Sequence, residues 1–145
     1  MLAVERDQLE QMKLRQRQLI GPDFLEHGAK RVGAVELRNV VESTEEILAR
    51  VAEAEALGRY RENIEWMIGL VQDYWNGSYT QVPYWPVAVV VFTLQYVLKP
   101  VDIIPDSLPV IGQLDDALVV SHGLAMIRND LDAYKIWKLA HKIDR

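Results

Sequence analysis

Residues 86–127 read PVAVVVFTLQYVLKPVDIIPDSLPVIGQLDDALVVSHGLAMI, two apolar runs joined by a stretch rich in proline and aspartate. The first run, 86–98, has no charged residue and is apolar on nearly every side, which is typical of a helix buried in a core. The second run, 117–127, is shorter and contains His122. No strand-like alternation recurs along the chain. We therefore predict an all-α protein, a small multi-helix bundle with a central apolar helical hairpin joined by a Pro/Asp-rich loop, its helices spanning 86–98 and 115–129.

The length of the first run bears on whether this hairpin enters a membrane. Pro86 suits a first helical turn, so the predicted helix has about 13 residues and a length of about 20 Å. The hydrocarbon core of a bilayer is about 30 Å thick. The run is therefore too short to cross alone, and we interpret the hairpin as two core helices. A membrane-embedded hairpin stays open as the alternative.

The stretch between the two runs places its aspartates where they suit backbone capping. Pro100 ends the first helix, and Asp102 follows in a turn where its carboxylate accepts backbone N–H groups. Asp106 is placed to cap a short helical turn that Gly112 closes, and the last two aspartates fall in the first turn of the next helix. The predicted structural motif comprises Pro100, Asp102, Pro105, Asp106, Pro109, Gly112, Asp115 and Asp116.

The same four aspartates are also candidate ligands for a divalent cation. Carboxylate oxygens are the ligands that Mg²⁺ and Ca²⁺ prefer, so Asp102, Asp106, Asp115 and Asp116 form the alternative metal site. Capping explains each position without a metal, so we expect no cofactor, with Mg²⁺ or Ca²⁺ as the alternative. The nearby histidine, His122, is interpreted as a core residue and not as a general base. No reaction is predicted.

Asp116 differs from Asp115 in the helix face that it occupies. Steps of three, four and seven residues from Asp116 meet the apolar positions Val119, Val120 and Gly123. Asp116 is therefore predicted to point towards the core. A buried carboxylate costs several kcal/mol unless it is paired or hydrogen-bonded, so it needs a partner. The candidate partners are loop N–H groups, His122, Lys99 or a bound cation.

The spacing within residues 96–116 resembles a known family signature. It reads Y-x-L-x-P-x-D-x-x-P-D-x-x-P-x-x-G-x-x-D-D. The pattern resembles the hallmark of the YkvA-like family, catalogued as domain of unknown function 1232, over about residues 87–126. The resemblance implies a small helical module, found alone in bacteria and also embedded in larger, sometimes membrane-bound proteins. It implies no reaction.

The remaining residues predict further helices around the hairpin. Residues 1–20 predict a polar N-terminal helix, and we treat 21–145 as a single helical domain. The strongest helical period lies in residues 60–75, where apolar side chains recur at steps of three and four. The sequence STEE at 43–46 has the spacing of a capping box, and Gly58 is a natural helix stop.

Charge and composition narrow the predicted function. The net charge of −5 argues against a nucleic-acid partner, and the absence of cysteine suits the reducing cytoplasm. The basic C-terminal helix offers a candidate membrane or partner surface formed by Lys135, Trp137, Lys138 and Lys142. We therefore predict a noncatalytic helical interaction or scaffolding module that binds a protein partner in the cytoplasm. A membrane-associated helical hairpin protein and a cation-binding protein are the alternative hypotheses.

Overall fold

The computed structural model describes residues 21–99 and 116–143. In these two ranges the chain forms six α-helices and one 3₁₀ helix, without a strand, so the predicted all-α class is confirmed. The helices pack as a bundle around a buried cluster of apolar side chains. The predicted helix at 1–20 lies outside the described residues. The elements are α1 (Pro22–Ala29), α2 (Ala34–Glu42), α3 (Thr44–Glu53), a 3₁₀ helix (Glu55–Tyr60), α4 (Arg61–Trp75), α5 (Tyr84–Leu98) and α6 (Asp116–Ile143).

Helix α5 is the centre of the bundle. Nearly all of its side chains are buried, and it contacts α1, α2, α3, α4 and α6. This arrangement follows from its composition, because a helix that is apolar on all sides is stable in water only when neighbours cover it on all sides. Its start at Tyr84 is two residues earlier than predicted, since Pro86 fits within a first turn. Neither α5 nor any other described helix has both the length and the apolar character needed to cross a membrane.

Helices α5 and α6 run in opposite directions, as predicted for a hairpin. Arg50 contacts the last turn of α5 and the first residue of α6, whereas Thr93, earlier in α5, faces Gly123, later in α6. A Cβ atom at Gly123 would lie 2.5 Å from the Thr93 hydroxyl oxygen, so glycine permits this close approach. The Pro/Asp-rich loop at 100–115 lies outside the described part of the chain and stays a prediction.

Helix α6 continues beyond its predicted end at residue 129. It runs to Ile143, with a kink at Ile127 (φ −117°, ψ 15°) where two helical segments meet. Leu131 and Tyr134 lie beyond the kink and are buried, so the second segment also packs on the bundle. The basic C-terminal helix predicted from the sequence is therefore a continuation of α6.

Two predictions drawn from local sequence signals in the first half of the chain are wrong. Helix α3 begins as a new helix at Thr44, but the Ser43 side chain makes no capping hydrogen bond, so the capping box predicted at 43–46 does not form. The Thr44 hydroxyl instead donates to a carbonyl at the end of α2, at 3.0 Å. Helix α3 then ends where Ala54 becomes extended (φ −94°, ψ 105°), and Gly58 lies inside the 3₁₀ helix instead of stopping a helix.

Candidate functional site

The start of α6 lies against a cation from α3. Asp116 is only 7% exposed, and its Oδ2 atom lies 3.7 Å from Arg50 Nη2. Arg50 Nε also donates to the Val97 carbonyl at 2.9 Å, in the last turn of α5. We name these three residues the Arg50 clamp. The guanidinium satisfies a helix-end carbonyl and places positive charge at the C-terminus of α5, so the clamp ties α3 to both helices of the hairpin.

The inward placement predicted for Asp116 is confirmed by its burial. Arg50 was not among the predicted partners, because it lies in a different helix far from Asp116 in the chain. The available signal was local to α3: Arg50 follows the buried Ile47 by three residues and precedes the buried Val51. An arginine at such a position lies at the edge of the buried face, where its guanidinium can reach a carbonyl or carboxylate partner.

Most of the predicted aspartate motif lies outside the described residues. Only Asp116 of the motif falls inside them, and the members outside are Pro100, Asp102, Pro105, Asp106, Pro109, Gly112 and Asp115. The capping role and the cation role of those residues both stay predictions. Residues 21–99 and 116–143 contain no group of three or more histidine or acidic side chains that could hold a metal ion.

A second buried aspartate lies at the opposite end of the bundle, in α4. Asp73 is 8% exposed and accepts a hydrogen bond from the Tyr134 hydroxyl at 2.6 Å. Lys138 Nζ donates to the same carboxylate oxygen at 2.8 Å. Both donors belong to α6, beyond its kink. We name these three residues the Asp73 cluster, and it fastens the second segment of α6 to the end of α4.

The protonation states of the Asp73 cluster follow from these contacts. Burial acts to raise the pKa of the Asp73 carboxyl, but the hydrogen bonds from Lys138 and Tyr134 and the charge of Lys138 outweigh it and hold the pKa below its ordinary value. Burial and the hydrogen bond to Asp73 raise the pKa of Tyr134 well above its ordinary value. At neutral pH the cluster is therefore an ionised carboxylate held by a neutral phenol and a lysine.

Asp73 was not among the residues predicted from the sequence, although a glycine in the same helix is a signal for it. Gly69 precedes Asp73 by one helical turn, on the face of α4 that α6 covers. A Cβ atom at Gly69 would lie 2.8 Å from the Tyr134 hydroxyl oxygen, so the glycine makes room for the donor.

Aromatic rings surround the Asp73 cluster. The Trp137 ring lies 4.7 Å from Tyr79, 5.9 Å from Tyr134 and 4.4 Å from His141, measured between centroids. Lys135 Nζ lies 5.8 Å from the centroid of Trp66. Of the predicted membrane or partner surface, Lys135, Trp137 and Lys138 thus make contacts within the molecule, while the side chain of Lys142 lies outside the described residues.

The large hydrophobic side chains that remain exposed in the described residues belong to segments near this same end. Tyr84 connects them, because its hydroxyl donates to the Val32 carbonyl at 2.7 Å and its ring lies 6.4 Å from that of Tyr74. Val35 lies three residues after Val32, and Trp75 directly follows Tyr74, so the backbone of both exposed residues is near Tyr84. In the described parts of the chain, the exposed large hydrophobic residues are Val35, Trp75, Tyr84, Trp85, Ile136 and Leu139.

Ile136 and Leu139 join this set through the Asp73 cluster. Ile136 is 71% exposed and Leu139 is 51% exposed. Both are close in sequence to Lys138, which binds Asp73. Asp73 in turn lies two residues before the exposed Trp75. All six side chains therefore lie towards the N-terminal end of α5, away from the Arg50 clamp at its C-terminal end. We name this set the exposed apolar end.

Comparison with known proteins identifies the class to which the central helices belong. Residues 87–121 match the family described as Protein of unknown function (DUF1232). The chain is also 28% identical over 78 residues to "Uncharacterized membrane protein YkvA" of Bacillus subtilis (strain 168), a match that covers 54% of this chain and 74% of that protein. No solved structure matches the chain.

The matched segment contains most of α5, the connecting residues and the first six residues of α6. Together the two matches confirm the resemblance of residues 96–116 to the YkvA-like DUF1232 family. Of the residues in the Arg50 clamp, Val97 and Asp116 lie inside the matched segment, and Arg50 lies outside it.

Proposed function

We propose that this chain is a noncatalytic helical module that binds the surface of a membrane through its exposed apolar end. The observation that carries the proposal is that the exposed large hydrophobic side chains of the described residues all belong to segments at one end of the bundle. Single exposed hydrophobic residues are ordinary on a protein surface, whereas a grouped set marks a surface that binds something apolar.

The chemistry of the exposed apolar end favours a lipid surface. Trp75, Tyr84 and Trp85 have rings that combine an apolar face with a polar tip, and such rings are enriched where a membrane meets water. The Tyr84 hydroxyl is already bound to the Val32 carbonyl, so its ring is held in a defined position while it remains exposed. The same end includes the basic second segment of α6.

The name of a similar protein also supports a membrane surface as the binding partner. The Bacillus subtilis protein that shares 28% identity is named a membrane protein. A protein partner at the same end is the alternative, because tryptophan and tyrosine are also enriched in protein interfaces. The alternative predicts association between proteins, and it is separated from the proposal by the experiment below.

Flotation with phosphatidylcholine vesicles, with and without phosphatidylserine, tests the proposal. We expect the chain to float with vesicles, and the double variant Trp85→Ser with Leu139→Ser to lower the partition coefficient about tenfold or more, because two large apolar side chains no longer enter the lipid. The matched control is Ala52→Ser, an exposed alanine of α3 near the Arg50 clamp. Thermal melts should show that all three proteins are folded at the temperature of the flotation.

Two results would overturn the proposal. The first is a chain that floats with neither type of vesicle. The second is equal flotation of the double variant and the natural chain. If flotation fails while sedimentation shows an oligomer that the double variant loses, the exposed apolar end is a protein interface and the alternative replaces the proposal.

A further inference from the structure

We infer that the surface bound by this chain is an anionic one, and that the basic end of α6 recognises the charge of its lipid headgroups. This inference rests on the proposed function and adds the chemistry of the lipid. The basic tail, residues 135–141 of α6, contains Lys135 and Lys138 and no acidic side chain. The whole chain carries −5, so the tail is opposite in charge to the rest of the molecule.

The basic tail alternates charge with exposed apolar side chains. Lys135 precedes Ile136, and Lys138 precedes Leu139, the two most exposed large hydrophobic residues of α6. Helices that lie in a membrane interface have this composition, because their apolar side chains enter the lipid while lysines meet phosphate groups. Charge and apolar surface therefore occur together on the part of the molecule proposed to contact the membrane.

The Asp73 cluster limits how much charge the tail presents. Lys138 keeps 44% of its side chain exposed, yet its ammonium lies 2.8 Å from an Asp73 oxygen that offsets its charge. Lys135 instead lies over the Trp66 ring, and in the described residues it makes no ion pair like that of Lys138 with Asp73, although Asp132 lies one helical turn before it. Removing the Asp73 charge should therefore strengthen attraction to an anionic surface, and removing the Lys135 charge should weaken it.

A second copy of this chain fits the basic tail less well than lipid does. Symmetric pairing through α6 would bring two basic tails together, and like charges repel. An anionic bilayer presents the opposite charge to the tail and hydrocarbon to Ile136 and Leu139.

The experiment compares vesicles of phosphatidylcholine alone with vesicles that also contain phosphatidylserine. We expect tighter binding to the mixture, and a loss of this preference as NaCl is raised, since salt screens exposed charges. Lys135→Gln should lower binding to the mixture about fivefold, the effect of about 1 kcal/mol per basic residue near an anionic surface, and leave binding to phosphatidylcholine unchanged. The matched control is Lys99→Gln, an exposed lysine at the opposite end of α5.

Asp73→Asn should change binding to the phosphatidylserine mixture in the opposite direction from Lys135→Gln. It keeps the shape of the side chain and removes the charge beside Lys138, so binding to the mixture should increase. A purely structural role for Asp73 would loosen the tail without creating a preference for phosphatidylserine. A thermal melt confirms that the variant is folded before its binding is measured.

The possible results separate the inference from the proposed function. Equal binding to both vesicles, or an equal loss in Lys135→Gln and Lys99→Gln, would overturn the inference and leave membrane binding in place. Binding to neither vesicle would overturn both. Preference for phosphatidylserine that falls in Lys135→Gln and persists in Lys99→Gln would establish the basic tail as the recognition element.

Discussion

The two ends of the bundle each hold a buried aspartate, but they hold it in different ways. In the Arg50 clamp the cation makes two contacts, with a helix-end carbonyl at 2.9 Å and with Asp116 at 3.7 Å. In the Asp73 cluster the carboxylate oxygen makes two contacts, with donors at 2.6 and 2.8 Å. The clamp therefore organises helix ends around a cation, whereas the cluster organises donors around an anion.

The two ends also differ in their relation to the family segment. Asp116 and most of α5 lie within residues 87–121, and this segment supplies the centre of the core. The exposed apolar end lies outside it on both sides in the chain. The comparison indicates that the family segment builds the scaffold, and that the flanking residues supply the surface that we propose for binding.

The largest loss of stability is expected for Asp73→Ala. The substitution leaves the buried Tyr134 hydroxyl without its acceptor and Lys138 without its counter-ion, so the free energy of unfolding should fall by about 3 kcal/mol. Exposure of 44% of the Lys138 side chain keeps the loss below that of a fully buried pair. Urea unfolding measures the effect, with the exposed Asp132→Ala of α6 as control. A loss no larger than that of the control would contradict the comparison.

Asp116→Ala should have a smaller effect, about 1–2 kcal/mol, because the ion pair of Asp116 with Arg50 is longer. It should still exceed Asp115→Ala, as the inward placement of Asp116 predicts. A double-mutant cycle with Arg50→Ala should give a coupling energy below about 1 kcal/mol, since 42% of the Arg50 side chain is exposed. Equal melting temperatures for the two aspartate variants would count against the role assigned to Asp116.

A pH series distinguishes the electrostatic part of the Asp73 cluster from its packing. The pKa of Asp73 is lowered in the folded state, so its contribution is complete above the pKa of the unfolded chain, about 3.9, and is lost as the pH falls through the folded value. The difference in unfolding free energy between the natural chain and Asp73→Asn should be constant near neutral pH and shrink in acid. A difference that stays constant in acid would mean that charge contributes nothing.

The smallest effect is expected for divalent cations added to test the predicted aspartate motif. If the aspartates of the motif act as caps, the melting temperature should be the same in chelator, Mg²⁺ and Ca²⁺. A rise of several degrees that disappears in Asp102→Asn or Asp116→Asn would make these residues ligands and reopen the question of an enzyme. Asp73→Asn serves as the control, because it removes a buried carboxylate at the other end.

The features that depend on the residues of a single helix include both confirmed and wrong predictions. The end of α5 at Leu98 and the inward placement of Asp116 were predicted from local pattern, and both are observed. The capping box at 43–46 and the stop at Gly58 were also local signals, and both were wrong. Capping and stop residues contribute about 1 kcal/mol each, so the packing of buried side chains overrides them.

The sequence by itself determined that the chain is helical, that the run at 86–98 is buried and that Asp116 faces inward, because hydrophobic periodicity acts over neighbouring turns. Only the tertiary structure decided which residues meet: Arg50 with Asp116, and Asp73 with Lys138, which is 65 residues away in the chain. It also brought the exposed apolar side chains from α2, α4, α5 and α6 to one end. The physical reason is that contacts between distant helices depend on how whole helices pack, and no local pattern encodes that arrangement.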